Sequence, residues 1–500
     1  MLVGAAAAYG AIGFRYLIGT IQFLTFGSAS PRLWTVVADL PWWQVLLVPS
    51  LGGLLIGLFV RYVMAEQRPV GVADVIEARL HKGGRMPLST ALLGALTNAA
   101  SLGVGGSAGR EGPVVHIGAA IAAWVAKRLQ LSPTGGRTLL GCGAAAAVAA
   151  SFNAPIAGAF FALEVVVGHY ALGAFAPIVI ASVVGTVISR SVFGDFPAFI
   201  VPEYAVVSAW EFGAFALLGV ASAATALIFM RAIMGVQDVA DKIPGPVWLR
   251  PALGGLLVGA IGLAYPQVLG VGYETTDAAL KVQFTLALLL PLLAAKIAAT
   301  AITLGSGFGG GVFSPSLLVG ALLGGIFGAV VVGLFPAVST SAGAYTMVGM
   351  GAVAGAVLGA PVSTILIIFE LTHDYKITIA VMLAVALASV ITHQLHGKSF
   401  FAWQLSRRGV RVDQGQGRSL LRSQPVREVM DRTIETVSPA AGVDDLRRLL
   451  LDAPGGMLFV VDAEQRLMGT ITLAQLSAAA FDTTLDALVR AADVARFDPP

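Results

Sequence analysis

The chain has 500 residues, 57% of them hydrophobic and only 12% charged, and its mean hydropathy of +0.83 lies far outside the soluble range. Most of it belongs in lipid, which excludes a string of soluble catalytic domains. The net charge of +3 resides in short clusters between apolar runs, at Lys127-Arg128, at Arg407-Arg408, and then at Arg411, Arg418, Arg422 and Arg427. Such clusters mark cytoplasmic loops rather than a nucleic-acid face.

The first apolar run opens at Met1 without a basic flank or a cleavage site, and reads as a membrane helix rather than a signal peptide. Further runs cover 43–65, 88–108, 114–126, 138–166, 171–193, 209–236, 251–269, 284–304, 315–335, 345–370 and 377–395. Several are too short, or too interrupted by Gly and Pro, for the roughly 20 residues a spanning helix needs. The 60 glycines therefore serve close helix packing and helices that stop partway across, an arrangement lipid tolerates only where the irregular backbone is buried or lines an aqueous path. From Ala278 to Phe369 there is no Asp or Glu, and the only bases are Lys281 and Lys296. Cys142 is the single cysteine, so no intramolecular disulfide forms.

The first break is Gly105-Gly-Ser-Ala-Gly-Arg-Glu-Gly-Pro113, followed directly by the apolar run from Val114 to Ala126. Pro113 suits the first turn of a helix, whose free amides carry about half a positive charge and attract anions. Glu111 stands out there. An ionised carboxylate at membrane depth costs on the order of 3 kcal/mol, so this acid lies in a hydrated path, is neutralised, or is held by those amides. A seated carboxylate mimics an anion, and its protonation and departure would gate the path.

The second break, Gly305-Ser-Gly-Phe-Gly-Gly-Gly-Val-Phe-Ser-Pro315, repeats the pattern and offers the amides of Val312 and Phe313 to the same anion. It also spells the dinucleotide fingerprint at Gly305, Gly307 and Gly310, but no strand or βαβ unit surrounds it. Behind each break lies a copy of one segment: Asn153-Ala-Pro-Ile-Ala-Gly-Ala-Phe-Phe-Ala-Leu-Glu164 matches Gly359-Ala-Pro-Val-Ser-Thr-Ile-Leu-Ile-Ile-Phe-Glu370, an offset of 206 (359 minus 153). Two halves with matching broken segments place a site at their interface.

After Arg408 the composition turns charged and periodic. Val426-Arg-Glu-Val-Met430 opens a unit, a helix pattern covers Val443 to Leu451, a strand Met457 to Val461, and Gly469 to Leu476 closes it. The chain stops at Pro499-Pro500 before a second copy is complete, which reads as truncation. A rival reading takes Gly105-x-Ser107-x-Gly109 as the nucleophile motif of an intramembrane serine hydrolase. That needs a histidine base, and His116, His169, His373, His393 and His396 are scattered. The expectation is no enzyme, no metal site and no nucleic-acid partner.

Gly109-Arg-Glu-Gly-Pro113, Gly311-Val-Phe-Ser-Pro315, the paired Ala-Pro helices and Glu370-Leu-Thr372 resemble the CLC family of chloride channels and chloride/proton exchangers, and the trailing segment resembles a CBS unit. The resemblance implies an all-α polytopic membrane protein of two inverted repeats of tilted and broken helices, plus a small α/β CBS unit. The transport domain would cover 1–408, with halves of about 1–200 and 201–408, a basic linker 409–423 and the CBS unit 424–500. It further implies a homodimer with a pore in each subunit, Glu111 as gate, and anion contacts at Gly109, Arg110, Gly112, Val312 and Phe313. The protein would lie in the plasma (inner) membrane with both termini cytoplasmic. No cofactor is implied, chloride being the transported ligand, and an adenine nucleotide at the CBS unit has no support in these residues.

Three positions depart from the family pattern. Val70 and Phe401 stand where hydroxyl-bearing Ser and Tyr usually complete the central anion site, and Val165 stands where exchangers place a proton-relaying Glu, with Glu164 matching the preceding family glutamate. These departures favour a passive channel over a proton-coupled exchanger.

Overall fold

The computed structural model describes the chain except residues 196–198, 200–207, 209, 337–338, 340, 411–429, 431–433, 454, 481–487 and 498–500. Most of the expected linker 409–423, with Arg411, Arg418 and Arg422, and residues 426–429 of the expected CBS opening, with Arg427, lie outside the described residues. The chain divides into two compact units, Met1–Val412 and Asp413–Pro500.

The larger unit is helical: α1 (Leu2–Phe26), α2 (Leu33–Ala38), α3 (Trp42–Tyr62), α4 (Val72–His81), α5 (Leu88–Gly103), α6 (Glu111–Arg128), α7 (Pro133–Phe152), α8 (Pro155–Phe161) and α9 (Leu172–Phe193). It continues with α10 (Glu211–Lys242), α11 (Arg250–Ala264), α12 (Tyr273–Leu280), α13 (Leu286–Gly305), α14 (Phe313–Leu334), α15 (Ala342–Leu358), α16 (Pro361–Thr372), α17 (Tyr375–His396) and α18 (Phe400–Arg407). Among the described residues, eight helices are long and apolar enough to cross a membrane, while Pro155–Val167, Ala342–Leu358 and Pro361–Thr372 are apolar but short. The chain is an integral membrane protein.

The apolar runs 138–166 and 345–370 do not form single helices. Each is cut at an x-Ala-Pro turn: α7 ends on Asn153 at φ 60° and α15 on Gly359 at φ 65°, both left-handed, and a proline then starts α8 and α16. Proline lacks the amide that a helix start leaves unpaired, so it fits there without losing a hydrogen bond.

The two halves then complete each other. The Glu164 carboxylate, in a π-turn Ala162–Val167 after α8, accepts from the amides of Val362 (3.1 Å) and Ser363 (2.9 Å) at the start of α16. Glu370 at the far end of α16 accepts from Ile156 (2.9 Å) and Ala157 (2.8 Å) at the start of α8. Such reciprocity is what two-fold related halves produce. Within each half one crossing is backbone on backbone: a Cβ on Gly118 would lie 2.4 Å from the Gly143 carbonyl oxygen, and one on Gly320 2.3 Å from that of Gly349. Only glycine lets α6 meet α7, and α14 meet α15, that closely.

The smaller unit is α/β. Strand β1 (Thr436–Val437) runs parallel to β2 (Met457–Val461), which pairs antiparallel with β3 (Leu467–Thr472). The helix Val443–Asp452 packs Val443, Leu446 and Leu450 against Leu458, Val460 and Ile471.

Candidate functional site

The two glycine-rich breaks meet face to face. Gly109 donates its amide to the Gly311 carbonyl and Gly311 donates its own to Gly109, both at 2.7 Å, an isolated antiparallel bridge. A Cβ on Gly109 would stand 3.0 Å from the Gly311 oxygen, and one on Gly112 3.2 Å from the Gly311 Cα, so a larger residue would push the breaks apart. The bridge brings the start of α6 beside the start of α14. Their partial positive charges add at one buried point.

Glu111 occupies that point. α6 begins at Glu111 itself, three residues before the apolar run, with Arg110 as its N-cap. Glu111 is 1% exposed. Its Oε1 accepts from the Tyr273 hydroxyl at 2.6 Å and its Oε2 from the Ser314 amide at 3.3 Å. Arg110 Nε lies 3.9 Å from Oε1, and its guanidinium stacks 4.5 Å from the centre of the Tyr273 ring. The Ser314 hydroxyl is buried and has no hydrogen-bond partner among the described residues.

Two cavities adjoin this pair. Glu111 lines one of about 700 Å³, together with Gly112, Val312, Phe313, Val70 and Phe401. Tyr273 and Arg110 line the other, of about 460 Å³. The Tyr273–Glu111 hydrogen bond thus links the walls of both. Gly109 contributes the backbone bridge rather than a cavity wall, and Val165 faces neither cavity but packs on the core from its π-turn. The apolar side chains of Val70 and Phe401 form part of the larger wall.

Asp74 also lines the larger cavity and caps the Gly71 amide at 2.8 Å. Burial pushes its carboxyl up, but Arg68 at 2.6 Å and Arg408 at 3.1 Å outweigh burial and hold it below the usual carboxylate range. His116 lines neither cavity. It is buried on α6, with Asp74 and Arg68 as its charged neighbours.

Ser107 is fully buried and hydrogen-bonds Thr300 Oγ1 at 3.1 Å, while Lys296 Nζ donates to Ser107 Oγ at 2.8 Å and to the Val268 carbonyl at 3.0 Å. No histidine is among the partners shown, and neither Ser107 nor Lys296 lines either cavity. Lys296 instead ties the first break to the segment leading into Tyr273.

Sequence reasoning passed over Tyr273, Ser314 and Lys296. Tyr273 lies 162 positions from Glu111, and its only local mark is Gly270-x-Gly272 before it, with Gly272 at φ 89° turning the chain into α12. Lys296 carried a signal, as one of two bases in a stretch without acids.

Broken helices whose starts converge on a buried carboxylate between two cavities define a membrane protein that handles anions. Residues 52–393 match the family model described as voltage gated chloride channel, and the chain belongs to that family, the CLC proteins. It is 34% identical to a ClcB-like protein of Ralstonia nicotianae over 81% of this chain and 95% of that one. It is 30% identical to the voltage-gated ClC-type chloride channel ClcB of Escherichia coli O9:H4, over 80% and 96%. An Arabidopsis thaliana relative, chloride channel protein CLC-f, is 33% identical over 77% of this chain but only 52% of its own length. Among solved structures, a slow cyanobacterial Cl⁻/H⁺ antiporter superposes with a TM-score of 0.72 at 24% identity, covering 81% of this chain and 96% of that one. A eukaryotic CLC transporter superposes with a TM-score of 0.67 at 19% identity, covering 96% and 88%. At these identities the structures establish the fold. Family membership establishes anion transport as the activity.

Proposed function

We propose that the chain is a passive channel for chloride or a similar monovalent anion, and that Glu111 is its gate. The observation that carries this reading is the seat of the Glu111 carboxylate: buried, beside two paired helix starts, and held by the Tyr273 hydroxyl and the Ser314 amide. Each donor that holds a carboxylate also serves a permeating anion. Protonation removes the charge for which the seat is built, and the displaced side chain leaves those donors, with the spare Ser314 hydroxyl, to the ion.

Passive conduction is supported by the absence of a carboxylate at Val165. The neighbouring Glu164 is occupied in capping α16. On the larger cavity, Val70 and Phe401 supply no hydroxyl, which leaves the ion to backbone amides near Gly112, Val312 and Phe313 and favours weak, rapidly exchanging occupancy. In the same reading two copies associate through the membrane unit, each with its own path. The protein resides in the plasma (inner) membrane with both termini cytoplasmic, and 424–500 is a CBS-type unit.

One of the superposed solved structures is a Cl⁻/H⁺ antiporter, so the deciding experiment is a proteoliposome assay with opposed chloride and pH gradients. Reversal at the chloride equilibrium potential without proton uptake supports the channel. A reversal potential that follows the pH gradient overturns it in favour of exchange. Flux through the wild type is expected to rise as pH falls, and Glu111→Gln to remain open across that range. Persistent pH gating in Glu111→Gln would move the sensor elsewhere.

A further inference from the structure

The smaller cavity contains a charge that the gate does not use. Arg15 lies within α1, a helix long and apolar enough to cross the membrane, and lines this cavity together with Arg110. An arginine in a span costs roughly 3 kcal/mol on insertion scales unless it faces water or a counter-charge. No ion pair is present for Arg15 among the described residues. Its guanidinium is instead planted 4.0 Å from the centre of the Phe193 ring, as that of Arg110 is planted on Tyr273. The two cations interact electrostatically with each other.

One acid, Glu274, lines the same cavity, but its oxygens are engaged by the Trp34 amide at 3.0 Å and the Thr35 hydroxyl at 2.8 Å. Arg110 keeps one long ion pair, 3.9 Å from its Nε to Glu111 Oε1, while Arg15 has no ion pair among the described residues, and the two guanidiniums share the lining of a cavity of about 460 Å³. Like charges so placed repel, and a dissolved anion is the counter-charge that relieves both.

We infer that Arg15 and Arg110 form an anion-capture site in front of the gate, adjoining the seat of Glu111 through Arg110 and extended away from it by Arg15. Rings stacked against both guanidiniums fix their planes, and a fixed guanidinium fork matches oxyanions as well as halides. The site therefore also takes small divalent oxyanions, which bind more strongly than chloride and obstruct its entry from that side. The inference rests on the proposed anion path for its transport consequence but not for binding.

Sulfate is the test probe. Added at constant ionic strength to one side of proteoliposomes carrying the full chain, it is expected to inhibit chloride flux from the Arg15 side alone. Arg15→Gln should raise the sulfate concentration for half-inhibition about tenfold, as loss of one charge-assisted contact implies, and Arg15→Lys should restore most of it. In detergent, sulfate should raise the unfolding temperature of the wild type and of Arg15→Lys but not of Arg15→Gln. That second measurement needs no transport, so it separates failure of this site from failure of the channel reading. Equal sulfate stabilisation of wild type and Arg15→Gln, or none of the wild type, overturns the capture site.

Discussion

At the residue scale, Tyr273 has a sharper consequence than its contribution of one hydrogen bond. Its hydroxyl donates to a charged carboxylate, and such a bond is worth about 1.5–3 kcal/mol, favouring the seated, ionised Glu111. Tyr273→Phe keeps the ring on Phe199, 5.0 Å away, and keeps the stack with Arg110 while deleting only that donor. Since about 1.4 kcal/mol corresponds to one pH unit, the pH of half-maximal flux should move upward by about one to two units. An unchanged pH profile would mean that the phenol is not part of the gate. Glu111 was legible in the sequence because an acid in a glycine-rich break, ahead of an apolar run, is a local anomaly. Its partner was not. Tyrosine near a membrane surface is ordinary, and only folding brings position 273 to 111. The same holds for Arg15, one basic residue in an otherwise plain span until the cavity beside Arg110 is known.

At the element scale, the breaks at Asn153-Ala-Pro and Gly359-Ala-Pro were legible as a repeat, because Gly, Asn and Pro punctuate helices whatever surrounds them. What caps the helices that follow was not. Neither Ala154 nor Ala360 supplies a side-chain cap, and the missing acceptors come from 213 and 199 positions away, as Glu370 to Ala157 and Glu164 to Ser363. Capping carboxylates are worth about 1 kcal/mol each, more when shielded from water. Glu164→Gln and Glu370→Gln are therefore expected to lower stability by similar amounts, read as loss of unfolding temperature in detergent. An effect from only one of them would break the equivalence of the two halves. The start of α6 is a smaller lesson. Pro113 pointed to the first turn, and the structure extends that turn back to Glu111, since Gly112 and Pro113 leave the helix free to begin on the acid.

At the scale of the whole molecule, composition alone separated the apolar unit from the charged one, because lipid and water impose different residue choices on long stretches. The strand Met457–Val461 was legible as a short apolar run, whereas its sheet neighbours Thr436–Val437 and Leu467–Thr472 were not. The relation between the two halves of the membrane unit is of another kind. Gly109 pairs with Gly311 and each half supplies the carboxylate for the other's broken helix, so fragments 1–200 and 201–500 produced together are expected to copurify and conduct. Each produced alone is expected to aggregate or be degraded. A stable, monodisperse fragment 1–200 by gel filtration would contradict this.

The exchange of carboxylates between α8 and α16 also sets an order of events during synthesis. When the ribosome has delivered the first half, the start of α8 holds two amides without their acceptor and Glu164 lacks its donors. That half has to wait as an unfinished surface until α16 arrives some two hundred residues later, and a single step then satisfies both. The gate cannot be assembled by either half alone, because Glu111 comes from the first half and its holders Tyr273 and Ser314 from the second.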